Sequence, residues 1–221
     1  MPRRQSLLRK RKPNMINKMI TIGKVKTSRT EIVDILKAWL ALSLAFTFIY
    51  TGASVLNGEI NRIFSLNFLT FFVISLFTAG FGFLLHELSH KFVAQHYGCA
   101  AEFRAWDQLL YLAVGLAVFV GFIFAAPGAV MISGMITRKE NGIISAAGPA
   151  MNYVLAMLFL GLLYVLPQWA NVFATGFSIN IWLGLFNLIP FGPLDGKKVF
   201  YWNKIVWGGM LAFGILFLFV F

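Results

Sequence analysis

Charge is scarce in this chain of 221 residues: Asp, Glu, Lys and Arg together make up 12% of it, and only 8 residues are acidic. Hydrophobic residues make up 59% and the mean hydropathy is +0.77, whereas a soluble domain is about half apolar and a quarter charged. The shortage excludes a soluble globular class. Cysteine is scarcer still. Cys99 is alone, so neither an intramolecular disulfide nor a cysteine-rich zinc module can form, and it reads as a small buried residue. The chain also lacks repeats, low-complexity segments and the matched halves with paired broken helices that mark many transporters.

What it has is length without charge. Residues 38–58, 63–85, 108–137, 141–194 and 205–221 contain no Asp, Glu, Lys or Arg, and about 20 apolar residues suffice for a helix to cross the hydrocarbon of a bilayer. Of the 19 basic residues, 11 lie in the first 37 positions, from Arg3, Arg4, Arg9, Lys10, Arg11 and Lys12 through Lys18, Lys24, Lys26 and Arg29 to Lys37. A basic leader before a first span keeps the N-terminus in the cytosol. That leader has no aromatic side chain to stack on bases, so no nucleic acid is expected as a partner; anionic lipid heads are the expected surroundings. The apolar run begins near residue 35 and is as long as a full span, which argues against a cleaved signal peptide. Met1, Met15 and Met19 remain alternative starts.

The chain divides into a basic tail at 1–34 and a membrane-embedded domain at 35–221, with a core at about 66–200. Ser28-Arg29-Thr30-Glu31 has the capping-box form and predicts a helix running into a first span at about Ala38 to Leu56. After a polar turn around Gly58 to Arg62, residues 66–96 predict a second helix. Residues 98–107, with Glu102, Arg104 and Asp107, belong at the interface. Residues 108–136 predict a re-entrant excursion, because Pro127 and Gly128 interrupt the run and a full crossing would place Arg138 and Lys139 outside, against the positive-inside bias. In it a helical piece dips in and an extended segment returns, tolerated at that depth only when buried in protein or lining a wet cavity. Spans at about 143–166, 172–189 and 205–221 complete an all-α polytopic fold of about six transmembrane helices. The N-terminus and the end of the second helix face the cytosol.

That second helix ends in FGFLLHELSHKFVAQHYG, residues 81–98, where polar groups are costly unless something compensates them. On an α-helix His86 and His90 are one turn apart, about 6 Å along the axis and offset by about 40°, so both imidazoles can share one tetrahedral cation. Glu87 lies beside them, within reach of a metal-bound water. Shuffling this composition would give HExxH only about once in a thousand trials, although the bare pattern has false positives. The bland alternative is a set of interfacial polar residues at a helix end. His96 lies about 240° around the helix from His90 and cannot join them.

A catalytic zinc needs a third protein ligand. The remaining candidates are Asp34, Asp107, Asp195, Glu31, Glu59, Glu102, Glu140, His96 and Cys99. Of these only Asp195 sits in a kinked apolar segment on the side expected for the two histidines, although Asp-Gly is also a common turn pair.

His86-Glu87-Leu88-Ser89-His90, Gly148-Pro149-Ala150-Met151-Asn152, Phe186-Asn187-Leu188-Ile189-Pro190 and Leu194-Asp195-Gly196 together resemble the ordered motifs of the site-2 protease family of intramembrane zinc metalloproteases (peptidase family M50), over residues 66 to about 200. The ordered set is far more specific than HExxH alone. The resemblance implies one Zn2+ per chain on His86, His90 and Asp195, with Glu87 as general base to a zinc-activated water. It also implies Asn187 beside the metal to hold the substrate carbonyl or oxyanion, and Gly148, Pro149 and Asn152 opening the third core helix. Gly-Pro stands here where the family usually has Asn-Pro, while Pro149 and Asn152 keep their places; Asn152 could equally be a buried amide bridging helices. Gly128, Ala129, Val130, Met131 and Ile132 resemble the family's membrane-embedded strand, an edge on which an unwound substrate segment could pair. The stretch 108–126 is longer than the linker of some members. The implied substrate is a transmembrane protein in a lipid bilayer, cut near the cytosolic side. The rival classes are an ion transporter or channel and a zinc-binding membrane scaffold without proteolysis. Glu87 speaks against the scaffold, and the absence of any Glu after Glu140 speaks against an HExxH peptidase with a glutamate as third ligand.

Overall fold

The structure, a computed structural model, describes residues 20–22, 25–123 and 128–220. Most of the basic leader, the three methionines at 1, 15 and 19, and Pro127 lie outside the described residues. The part of the expected tail that is described is folded. Strands β1 (Ile20–Ile22) and β2 (Val25–Thr27) pair antiparallel, and α1 follows at Arg29–Thr51. Ser28 caps α1, its hydroxyl accepting from the Glu31 backbone N–H at 3.1 Å. Only half of the expected capping box forms. The Glu31 carboxylate turns inward instead, where it accepts from Lys91 Nζ at 2.6 Å, Thr27 Oγ1 at 2.7 Å and the Phe103 N–H at 2.9 Å. The complete capping box is at Thr137 and Glu140, which the sequence reading passed over.

The second helix is continuous but not uniform: α2 (Leu66–Ser75) passes through a π-helical turn at Leu76–Gly80 into α3 (Phe81–His96), which carries the two histidines. Next comes a strand that the sequence reading did not expect, β3 (Ala100–Ala105), then α4 (Asp107–Val120) and β4 (Gly128–Ser133). The expected helical piece and returning extended segment are therefore both present, and β4 pairs antiparallel with β3 from Ala100 opposite Ser133 to Ala105 opposite Gly128. The long α5 (Arg138–Val165), α6 (Ala170–Asn187), the short α7 (Asp195–Trp202) and α8 (Lys204–Val220) complete the chain. The Gly148-Pro149 pair lies well inside α5 rather than at its opening.

Among the described residues the fold is mostly helical, with two small two-stranded sheets. Four helical segments are long and apolar enough to cross a membrane: Arg29–Thr51, Leu66–His96, Arg138–Val165 and Pro167–Asn187. Two shorter apolar helices, Asp107–Val120 and Lys204–Val220, are the candidates for the rest of the expected count. One core cluster gathers Tyr153, Ala156, Phe177, Ile181 and Leu188, holding α5 to α6, with α8 against it; another gathers Ala38, Phe103 and Leu110, which seats β3 on α1 and α4. A third, of Ala94, Cys99, Ala101 and Ile144 with Val130 and Ile132 against it, holds α3 to α5 and to the β3–β4 sheet.

Candidate metal centre

The structure brings His86, His90 and Asp195 together: one ligand atom from each lies within 4.8 Å of the others. The histidines are buried on α3, and Asp195 opens α7 after the Pro190 and Pro193 segment. Asp195 Oδ2 is 3.2 Å from His86 Nε2 and 3.0 Å from His90 Nε2. A tetrahedral zinc with arms of about 2.0 Å has edges of about 3.3 Å, so these separations suit three ligands of one such ion. The two rings are nearly perpendicular, with centroids 4.7 Å apart.

Both imidazoles are held from behind. His90 Nδ1 faces the Ile144 carbonyl at 2.7 Å. A carbonyl only accepts, so Nδ1 carries the proton and Nε2 is left as the bare nitrogen. His86 Nδ1 faces Asn152 Oδ1 at 2.6 Å, which gives the same assignment. Pro149 lies inside α5 and has no N–H for the Ser145 carbonyl four residues before it. Gly148 lies against the open side: a Cβ there would overlap the Nε2 atoms of both histidines. Two unprotonated nitrogens and a carboxylate oxygen thus converge beside a residue that has no side chain, a donor set that a zinc ion fits. The Asp195 carboxylate is itself about nine-tenths buried. On its outer side Lys198 Nζ stands 3.7 Å from Oδ1. Gly196 lets α7 start where it does, since a Cβ there would strike the Leu188 carbonyl.

A cavity of about 130 Å³ opens beside this group, lined among others by Glu87, Val130, Ser145, Asn187 and Lys198. Glu87 lines it from α3, facing the strand residue Val130 across the cavity. Asn187, at the end of α6, lines the same cavity and donates from Nδ2 to the Leu183 carbonyl at 3.0 Å. His96 stays outside, exposed and against the Tyr97 ring.

The sheet turns one edge to the cavity. In an antiparallel pair, residues of alternate pairs point their N–H and C=O away from the partner strand. The Phe103 N–H goes to Glu31 and the Ala101 carbonyl accepts from Gln95 Nε2, so the Phe103–Val130 and Ala101–Ile132 pairs are of this kind. The outer edge of β3 is therefore occupied by side chains of α1 and α3. The outer edge of β4 presents Gly128, Val130 and Ile132, all of which line the cavity, while Ala129 and Met131 bond inward to β3.

Sequence reasoning missed Asn180 on α6. It is fully buried, and its Oδ1 accepts from Asn152 Nδ2 at 3.0 Å. An Asn in the middle of an apolar helix was the available signal, since a buried amide must find partners.

Three relatives describe the neighbourhood of this chain. A protein of Methanocaldococcus jannaschii named "Putative zinc metalloprotease MJ0611" is 40% identical over 186 residues, 81% of this chain and 88% of that one. A second from the same organism, "Zinc metalloprotease MJ0392", is 25% identical over 163 residues, 71% of this chain but 39% of its own length. "Putative zinc metalloprotease Rip2" of Mycolicibacterium smegmatis is 34% identical over 130 residues, 51% of this chain and 50% of that one. The chain thus spans most of the first relative and half or less of the other two. No family model matches the chain, and no solved structure matches it.

Proposed function

The chain belongs to the family of zinc metalloproteases that these relatives represent, and from that premise we propose that it is an intramembrane protease of the site-2 type, hydrolysing peptide bonds within or near transmembrane segments of membrane proteins. The observation that carries the reading is the trio of His86 Nε2, His90 Nε2 and Asp195 Oδ2 at tetrahedral spacing around a space kept open by Gly148, with Glu87 next to His86 in a cavity lined by a free strand edge.

One zinc ion per chain, held by His86, His90 and Asp195, would act as a Lewis acid and lower the pKa of a water at the open position. Glu87 takes the proton of that water and hands it to the leaving amine. Asn187 has a second Nδ2 hydrogen to offer the scissile carbonyl as negative charge develops on it. His86 and His90 keep their Nδ1 protons on Asn152 and Ile144 throughout, which holds both rings in place.

A substrate helix hides its carbonyls in its own hydrogen bonds, so it unwinds before it can be cut. The outer edge of β4 receives the unwound segment as a third strand through Gly128, Val130 and Ile132, with Ala129 and Met131 keeping β4 on β3. Exposed apolar side chains such as Leu66, Leu69, Val73 and Phe77 on the second helix and Ile205, Leu216 and Phe219 on α8 face lipid in this reading. Arg138, Lys139, Lys197 and Lys198 support a cytosolic metal side by the positive-inside bias.

The test is zinc content and cleavage of a model transmembrane segment by purified protein. Glu87→Gln is expected to keep zinc and lose cleavage, and Asp195→Ala to lose both. A fully active Glu87→Gln protein would refute the mechanism.

A further inference from the structure

On the reading that His86, His90 and Asp195 hold a zinc ion, we propose that Asn180 is a positioning residue: it fixes the orientation of the Asn152 amide, and through it decides which nitrogen of His86 carries the proton. The argument follows the hydrogens. Asn180 Nδ2 donates to the Gly176 carbonyl one turn earlier on α6, at 2.8 Å. A carboxamide donates from one arm and accepts on the other, so this bond turns Oδ1 toward α5. There it accepts from Asn152 Nδ2 at 3.0 Å. The second Asn152 Nδ2 hydrogen goes to the Gly82 carbonyl on α3, at 3.1 Å. With both donors committed, Asn152 has only its oxygen for His86 Nδ1.

The two histidines differ in what secures them. His90 is secured by a backbone carbonyl, which cannot turn over. His86 depends on an amide that can. Were Asn152 flipped, its NH2 would face Nδ1, the proton would move to Nε2, and the ligand lone pair would be lost. Flipping sets Asn152 Oδ1 against two acceptors, the Gly82 carbonyl and Asn180 Oδ1. Asn180 supplies one of these two barriers, and it is the one that depends on a side chain. Both amides are fully buried, so no solvent can stand in for a lost partner. Gly82 belongs to the same arrangement, because a Cβ there would overlap Asn180 Oδ1 and push α3 off α6.

Zinc affinity of the purified full chain, measured by competition with a chelator, tests this without reference to cleavage. Asn180→Leu is expected to weaken zinc binding about tenfold, the lower end for loss of an outer partner of a metal ligand. A relay predicts non-additivity: in an Asn152→Leu background the same change should cause no further loss. Asn180→Ser keeps a hydroxyl that can donate to Gly176 and accept from Asn152 at shorter reach, so it should weaken binding about threefold, again only when Asn152 is present. The serine pair carries the comparison should the leucine protein not fold. Wild-type affinity in both Asn180 variants, or the same loss with and without Asn152, would overturn the relay while leaving the zinc site standing. A wild-type chain that binds no zinc would overturn the zinc site itself.

Discussion

Gly148→Ala separates folding from metal binding with a single methyl group. In the middle of a helix alanine is favoured over glycine by about 0.5–1 kcal/mol, a gain that Pro149 offsets here by crowding any Cβ on the residue before it, so on propensity alone the change should be close to neutral for α5. The space says otherwise for the metal. A Cβ at 148 would lie 2.5 Å from His86 Nε2 and 2.6 Å from His90 Cε1, and closer still to His90 Nε2. Ordinary contact begins at 3.4 Å, so the rings must retreat by about 0.9 Å, whereas zinc sites hold their ligand distances to within about 0.2 Å. Without metal the rings can move aside, but with metal they cannot, and at least one ligand is lost. The expected result is zinc affinity reduced at least 100-fold, about 2.8 kcal/mol at 1.4 per tenfold. The metal-stripped protein should lose no more than the about 1–3 kcal/mol that overpacking costs. Gly161→Ala is the control on the same helix, since a Cβ there meets nothing within 4 Å; it should gain stability and keep zinc. Chelator competition and thermal melting of the stripped proteins read both quantities. Gly148→Ala protein that binds zinc within about threefold of wild type, a shift of only about 0.7 kcal/mol, would refute the claim that this glycine holds open the metal position.

Val130→Pro removes an N–H that points away from β3, so it should spare the sheet and the zinc content yet abolish cleavage of a transmembrane segment; unchanged cleavage would sink the strand-edge reading. Met131→Pro removes an N–H bonded to β3 and should additionally destabilise the fold, seen as a lower melting temperature than for Val130→Pro. Asn187→Ala should retain zinc and lower kcat about 10²–10³-fold, the usual loss for one oxyanion donor, and a change confined to KM would assign Asn187 to binding alone. Lys91→Met leaves Glu31 buried without its cation, which should lower stability by about 3–5 kcal/mol in a denaturation experiment; a loss under 1 kcal/mol would show that Thr27 and Phe103 suffice for the carboxylate.

The parts of the molecule legible in the sequence are those whose partners are close along the chain or marked by composition. His86, Glu87 and His90 stand out because polar groups are rare in that run and their spacing matches one helical turn. Residues 128–133 could be read as extended because the run is broken at Pro127 and Gly128. Glu31 shows where such reading stops. Its position three residues after Ser28 fits a local cap, but its carboxylate bonds Lys91 and Phe103, 60 and 72 positions away, and nothing in the local pattern announces a partner at that distance. Strand β3 was hidden for a related reason. Ala100–Ala105 is short and carries Glu102 and Arg104, which pair with each other, and it becomes a strand only because β4 returns beside it and Glu31 seals its other edge.

The π-helical turn at Leu76–Gly80 is the least legible feature, and the site depends on it. One extra residue in a turn rotates everything after it by about 100° relative to an uninterrupted α-helix. Without that turn His86 and His90 would face away from Gly148 and Asp195, although their spacing to each other would be unchanged. The sequence LFTAG has no proline and no charge to mark it. What secures it comes from α1: Trp39 Nε1 donates to the Leu76 carbonyl at 3.0 Å, and the Trp39 ring and Ser43 hydroxyl occupy the space that a Cβ at Gly80 would need. Gly80 therefore lets α1 approach closely enough for an indole to reach a carbonyl of the irregular turn. A helix that contributes no residue to the metal group thus sets the direction in which the metal group points, through one hydrogen bond and one missing methyl.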